Sequence, residues 1–423
     1  MAYQIRVVDA ELDALLPGLA ALALEGAKGV GKTATAGRRA NAAFTLDDRA
    51  QLEVVSANPA VVDTVGYPVL LDEWQRHPPL WDFVRRRVDA GAAYGSYLLT
   101  GSAVPLDAPV HSGAGQIVSL RMRPMALAER GLSKPTVSVA ELLTGSHPRV
   151  DGRTGVTLPG YVDEILASGF PGIRSLPERA RRAQLDGYLM RIIERDFPDQ
   201  GITVRRPRML RAWLTAYAAA TAGTATYATL ANAAAPGEGT APAKTTTLGY
   251  RDVLDRLFLT DPVPGWVPGR NHLTKASQAP KHHLADPALA ARLLGIDAGA
   301  LLRGETAGPA VPRDGTLLGA LFESLVTLSV RTYAQAAEAQ TRHLRTRDGA
   351  HEVDLILERA DQKIVALEVK LAPTPTKDTI TRLVTLRKRL GEDLLDAAVI
   401  TTGEHAYRTP EGIAVIPAAL LGP

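Results

Sequence analysis

Gly26-Ala27-Lys28-Gly29-Val30-Gly31-Lys32-Thr33 decides how the first third of this chain folds, because it fits G-x-x-x-x-G-K-[ST] at every fixed position. The flanks suit the motif. GLAALALE, Gly18 to Glu25, is a short apolar run expected as a buried strand, and TATAGRRAN after Lys32 reads as a helix start. The chemistry requires this order. Gly26, Gly29 and Gly31 let backbone N–H groups approach phosphate oxygens, and the helix N-terminus adds its dipole. Lys32 is expected to reach the β and γ oxygens and Thr33 to ligate magnesium, so ATP and Mg2+ are the expected cofactors.

Working outward, Tyr67-Pro68-Val69-Leu70-Leu71-Asp72-Glu73 is an apolar strand ending in two acids, the Walker B pattern. Asp72 is expected to hold magnesium through water, and Glu73 to orient and polarise the attacking water. YLLTGSA, Tyr97 to Ala103, is a further strand with polar residues at its C-terminal end. Ligands of open α/β sheets lie beyond the carboxyl ends of the strands, so Thr100 or Ser102 stands where a γ-phosphate sensor belongs.

The C-terminal third carries a second constellation. From Gly315 the elements read helix, strand (RHLRTRDG), strand (HEVDLILER), strand (KIVALEVKLA), helix, strand (DLLDAAVITTG), the αβββαβ order of the PD-(D/E)xK nucleases. Strand alternation puts Glu352 and Asp354 on one face, with Val353 and Leu355 on the other, and Glu368 with Lys370 opposite Leu367 and Val369. Glu323 lies on the preceding helix, where related nucleases and archaeal junction resolvases keep an extra metal-binding acid. Clustered Asp354, Glu368 and Glu323 are costly unless a divalent cation sits among them. Magnesium suits such hard oxygens, would activate a water and would stabilise the pentacovalent phosphate, with Lys370 assisting deprotonation or offsetting charge. His343 and His351 are nearby candidates for proton shuttles.

Between these ends, residues 209–268 read as three helices and a strand pair, the make-up of a winged helix. Leu248, Val253, Leu254, Leu257 and Phe258 give the third helix its apolar face, leaving Lys244, Thr245 to Thr247, Tyr250 and Arg251 exposed at its start as groove readers. A domain that only connects neighbouring subunits or the two end domains fits the same pattern. Between Phe170 and Thr215 ten arginines face five acids, a patch suited to phosphates, to another subunit or simply to solvent.

Composition sets the frame. The chain has 423 residues, a net charge of only +3 and no cysteine, so disulfides and thiolate zinc sites are excluded. MAYQIRVVDAELD has no signal-peptide pattern, and no apolar stretch reaches the roughly 18 residues of a spanning helix, so a cytoplasmic location without membrane attachment is expected.

LEGAKGVGKT, LLDEWQRHPPLW, YLLTGS, RMRPMALAERG, SGFPGIR and Arg195-Asp196 together resemble the bacterial and archaeal AAA+ ATPases that carry a C-terminal domain of unknown function with an endonuclease-like fold. The resemblance spans essentially the whole chain. It implies an α/β fold in three parts: a P-loop AAA+ ATPase domain (1–160), a helical, winged-helix domain (161–275) and a PD-(D/E)xK nuclease-like domain (276–423). It also implies a homo-oligomer, most simply a hexamer, with an arginine supplied in trans. Relatives often show Gly-Arg after the sensor strand; here Gly115-Gln116 stands instead, leaving either Arg121, Arg123 or Arg195 to substitute or hydrolysis to be slow. The expected function is ATP-dependent processing of DNA, branched or structured, by a motor joined to a Mg-dependent nuclease. The alternative is a regulatory ATPase switch whose nuclease-like domain binds DNA or a protein without cutting.

Overall fold

The computed structural model describes residues 3–103, 115–235, 242–268, 278–303, 317–345 and 352–423. Strands β1 (Ala21–Glu25), β2 (Ala42–Thr45), β3 (Val69–Asp72), β4 (Tyr97–Gly101) and β5 (Val118–Arg121) form a parallel sheet in the order β2-β3-β4-β1-β5. Parallel sheets are covered on both faces, which is why ALALE, VLLD and YLLTG are nearly continuous apolar runs. Ala21, Ala23, Leu71 and Leu99 pack on one side with Trp74 and Trp81. Leu22, Leu24, Leu70 and Leu98 pack on the other with Val8 and Leu12 of helix Val7–Leu15, an element the sequence reading did not place.

A second, mixed sheet has the order β12-β13-β11-β10-β9-β8-β7. Its strands are β7 (Gly265–Trp266), β8 (Gln340–Arg345), β9 (Glu352–Glu358), β10 (Ile364–Val369), β11 (Leu394–Thr401), β12 (Tyr407–Arg408) and β13 (Ala414–Pro417). Helix Leu317–Ala336 covers one face and helix Lys377–Leu390 the other. The helix-strand-strand-strand-helix-strand succession matches the order read from the sequence.

Strand alternation fails between β8 and β9. Arg342 pairs with Ile356 but Leu344 with Val353, so three residues of β9 span two of β8. This bulge turns Leu355 into the core against helix Leu317–Ala336, while Val353 packs toward helix Lys377–Leu390. Val353 and Leu355 therefore lie on opposite faces, not one, and Asp354 sits at the kink.

The middle segment has helices Pro207–Ala219, Tyr227–Ala233 and Lys244–Arg256, followed by an antiparallel ladder in which Leu259–Val263 exchanges backbone hydrogen bonds with Lys281–Ala285. The ladder straddles residue 275, the boundary expected from sequence. The third helix is rotated from the expected phase. Thr247, Tyr250, Val253 and Leu254 are its buried residues, and Leu248 is 40% exposed. Positions 247, 250, 254 and 257 share one stripe at 3.6 residues per turn, and Leu248 falls about 100° from Thr247, outside it. Arg251 stacks on the Tyr227 ring 3.4 Å from its centroid.

The stretch after β5 also departs from expectation. β6 (Val137–Ser138) pairs with β14 (Leu421–Gly422), Arg359 donates to Leu143 O, and Arg408 donates to Pro148 O. Residues 137–148 thus pack on the C-terminal sheet rather than on the first. No helix among the described residues is long and apolar enough to cross a membrane.

Candidate functional site

The nucleotide loop closes the gap between β1 and the helix Lys32–Gly37. Gly29 and Gly31 have φ of 84° and 106°, the left-handed region that glycine enters at least cost. A Cβ at Gly26 would lie 2.1 Å from Met122 O, so the first glycine is required by close approach. The loop is backed by a residue the motif does not specify. Arg6, 4% exposed, donates to Val30 O at 2.8 Å and to Arg123 O at 2.8 Å, and pairs with Glu129 at 3.1 Å.

β4 lies between β1 and β3, which brings both acids and both sensor candidates to one edge. Lys32 donates to Gly26 O at 2.9 Å and to Ala27 O at 3.1 Å. Burial depresses its ammonium to about 8, against the opposing pull of Glu73 and Asp72. Thr33 donates to Asp72 at 2.8 Å, and Thr100 donates to the same carboxylate oxygen. Ser102 donates to Glu73 at 2.8 Å, and Gln75 reaches both Glu73 and Ser102. The two sensor candidates therefore divide the acids: Thr100 holds Asp72 and Ser102 holds Glu73. Gly101 between them leaves room for the Trp74 indole, which a Cβ there would meet at 2.7 Å. The hydroxyl of Thr33 and the carboxylate of Asp72 are adjacent hard oxygen donors, a set that fits magnesium.

Beyond this edge opens a cleft of about 530 Å³. One wall is Lys28, Glu73, Gln75 and Ser102; the other is Tyr188, Asp196, Gln200 and Leu259 from the middle segment. Lys28 pairs with Asp196 at 3.1 Å across it, and Tyr188 donates its hydroxyl to Lys28 O at 3.1 Å. Asp196 ends a π-helical turn, Ile192–Asp196. Of the candidate trans arginines, Arg121 and Arg123 are held internally by Asp261, at 3.3 and 2.8 Å, whereas Arg195 is exposed and has no ion pair among the described residues. Gln116 donates to Asp89 at 3.1 Å.

At the C-terminal acids, the compensating charge comes from a residue the sequence reading missed. Lys281, 2% exposed, donates to Glu323 at 2.8 Å and to Asp354 at 2.8 Å, with Glu352 at 3.6 Å. The other oxygen of Asp354 accepts from Val369 N–H at 2.9 Å. Glu368 pairs instead with Lys370 at 2.7 Å, and its second oxygen is buried without a hydrogen-bond partner. It lines a narrow crevice with Leu344, Glu352, Thr379 and Arg382. Leu367 and Val369 pack with the core under helix Leu317–Ala336, so Glu368 points to the opposite side, toward helix Lys377–Leu390. Among the described residues no three His, Cys, Asp or Glu side chains are grouped to hold a metal.

The electrostatics follow from this division. Burial, then Asp354, pushes Glu323 up to about 8 in spite of Lys281. Burial, then Asp354, pushes Glu368 up to about 7 in spite of Lys370. Burial also opposes ionisation of Asp354, but Lys281 and Lys370 outweigh it and hold that carboxyl below its ordinary value. The stable arrangement is an ionised Asp354 facing a charged Lys281. The expected trio of magnesium ligands does not fit a divalent ion as it stands, because Asp354 and Glu323 already share the Lys281 ammonium and Glu368 is paired with Lys370. His343 is bonded to Ala279 O at 2.9 Å, and burial lowers its pKa; His351 lies outside the described residues.

Lys281 had no sequence signal, being in an aperiodic run, APKHHLAD, far from the acids it meets. Asp261, gripped by Arg121, Arg123 and Arg331, was equally silent.

Residues 20–130 match the AAA domain family, residues 159–300 a domain of unknown function (DUF8612), and residues 318–421 another domain of unknown function (DUF4143). The uncharacterized proteins Mb2031c of Mycobacterium bovis and Rv2008c of Mycobacterium tuberculosis are each 24% identical over 352 residues, 83% of this chain and 68% of theirs. Among solved structures, the Walker-type ATPase PABY2304 of Pyrococcus abyssi is 15% identical with a TM-score of 0.38, over 67% of this chain and 94% of that one. The ORC2 protein of Aeropyrum pernix, in ADPNP–ADP complexes, is 16% identical with a TM-score of 0.32, over 72% of this chain and 96% of that one. The N-terminal third is therefore AAA+ ATPase-like.

Proposed function

We propose that this chain is an ATP-hydrolysing AAA+ switch acting on DNA, whose nuclease-like C-terminal domain binds without cutting. The observation that carries the switch is the shared cleft. Any nucleotide filling it touches Lys28 of the loop and Glu73 on one wall and the middle segment on the other. Lys32 binds the phosphates once it releases the carbonyls of Gly26 and Ala27. Incoming phosphate competes with Asp196 for Lys28, loosening the link to the middle segment. Glu73 orients the attacking water when Ser102 and Gln75 let it turn. Thr33 and Asp72 would hold magnesium, which supplies charge neutralisation at the phosphates. Arg195, exposed beside Asp196, is the residue assigned to reach a neighbouring subunit in a ring, a hexamer by the family resemblance.

Exposed Arg191, Arg205, Arg206 and Arg208 support contact with a phosphodiester backbone, as do the exposed Lys244, Thr245 and Thr246 that open the third helix. Lys281 among the acids supports binding without cleavage. The Mg-dependent nuclease reading keeps one observation in its favour: Val369 N–H joins Asp354 to the strand bearing Glu368 and Lys370. Labelled linear, forked and four-way DNA, incubated with and without ATP and Mg2+, separates the two. Nucleotide-dependent retardation with intact DNA is expected. Cutting that disappears in Glu368→Ala would establish the nuclease instead, and no retardation in any nucleotide state would remove DNA from the proposal.

A further inference from the structure

We infer that Lys281 is the resident cation of the C-terminal acid cluster, a covalently attached counter-ion standing where a divalent metal would otherwise be needed. The electrostatic requirement is real: Glu323 and Asp354 converge from a helix and a strand into a largely buried space, with the more exposed Glu352 at its edge. A charge must enter with them, and buried carboxylates without a partner are costly. The ammonium of Lys281 lies 2.8 Å from two of the three and 3.6 Å from the third.

Its position is imposed by backbone rather than by a chance swing of a surface side chain. Lys281 N–H donates to Val263 O and Val263 N–H to Lys281 O, each at 2.9 Å. One step along the ladder, Asp261 N–H donates to His283 O, and the Asp261 carboxylate is clamped by Arg123 at 2.8 Å and Arg331 at 3.1 Å. His282 and His283, which follow, are equally buried and bonded to Ala225 O and to Ser324. A lysine fixed at both its backbone and its head group acts as part of the site. The cluster thus holds its charge balance without metal, and a divalent ion gains entry only by displacing Lys281. This goes beyond the non-cutting reading, which DNA retardation tests separately.

The test uses nucleotide-free, full-length protein, with Mn2+ as probe, followed by thermal melting and by paramagnetic resonance of free Mn2+. Wild type is expected to take up no Mn2+ at these acids, and its melting temperature should not respond to the ion. Lys281→Met should melt lower, bind Mn2+, and regain melting temperature with Mn2+ concentration as a ligand of the folded state must. Adding Glu368→Ala to Lys281→Met should leave that binding in place, because Glu368 is paired with Lys370 and not with Lys281. Equal Mn2+ uptake by wild type and Lys281→Met would overturn the inference, as would a Lys281→Met protein that melts like wild type and ignores the ion. Should the single variant fail to fold, Lys281→Met/Glu323→Gln decides. Removing one carboxylate along with the ammonium should restore folded protein, and failure to restore it counts against the assignment.

Discussion

Asp261→Asn tests whether the three parts of the chain are locked through one carboxylate. Asp261, in the middle segment, is 4% exposed and meets Arg123 at 2.8 Å and Arg121 at 3.3 Å from the end of the first sheet. It meets Arg331 of helix Leu317–Ala336 at 3.1 Å. Burial opposes its charge, yet the three guanidinium groups hold its carboxyl far below the usual carboxylate range. Asparagine keeps the shape and removes the charge, leaving three cations facing each other. Breaking a buried pair costs about 3–5 kcal/mol, and the lower end applies because the Arg121 side chain is 29% exposed and can be hydrated. At about 2.1 cal/mol/K per residue, 423 residues unfolding together have an entropy near 0.9 kcal/mol/K, so the melting temperature should fall by about 3–6 °C. Adding Arg331→Met should recover part of the loss, since one uncompensated cation goes with it, giving a coupling of roughly 0.5–3 kcal/mol in a double-mutant cycle. The sign with pH is set by the depressed pKa. The stabilisation is fully present above the unfolded carboxyl value, about 3.9, and is lost only as pH falls toward the folded value, so the deficit of Asp261→Asn should be constant from pH 5 to pH 8. Calorimetric melts of the four proteins suffice. A deficit below about 0.5 kcal/mol, within the range of ordinary surface changes, or strict additivity with Arg331→Met, would refute the lock.

Lys32→Ala should abolish tight ATP binding, and Glu73→Gln should leave binding intact while stopping turnover, read by fluorescent-nucleotide titration and phosphate release; unimpaired turnover in the glutamine variant removes Glu73 as the water-orienting group. Because burial lowers Lys32 to about 8 in the empty site and bound phosphates raise it, ATP binding should take up a proton above pH 8 and weaken by up to about tenfold per pH unit there. Calorimetry in two buffers of different ionisation heat checks this, and a flat affinity from pH 7 to pH 9.5 contradicts it. Asp196→Asn should tighten ATP binding by up to about fivefold, the equivalent of at most about 1 kcal/mol for a pair whose Lys28 side chain is 48% exposed, and weaker binding in that variant would mean that Asp196 assists the nucleotide.

The parts of this protein that were legible in the sequence are those set by short-range rules. A glycine-rich loop between an apolar strand and a helix start, acids at the end of VLLD, and polar residues at the end of YLLTG each depend on a few consecutive residues. They point to a parallel sheet with a nucleotide-type loop and acids at its carboxyl edge. The alternating strands HEVDLILER and KIVALEVKLA likewise announce their elements and their order. Tertiary structure decided what those residues face. One extra residue in β9 against β8 overturned the face assignment of Leu355, because alternation counts positions and a bulge changes the count. The phase of helix Lys244–Arg256 was decided by packing, which buried Thr247 and Tyr250 and left Leu248 out. The cation among the C-terminal acids was settled by a contact between residues 73 apart, Lys281 and Asp354. Carboxylates close enough to repel require a positive charge, but charge balance acts through space and leaves no period in the chain. Sequence therefore specified that a cation was needed, and only the fold decided that a lysine supplies it.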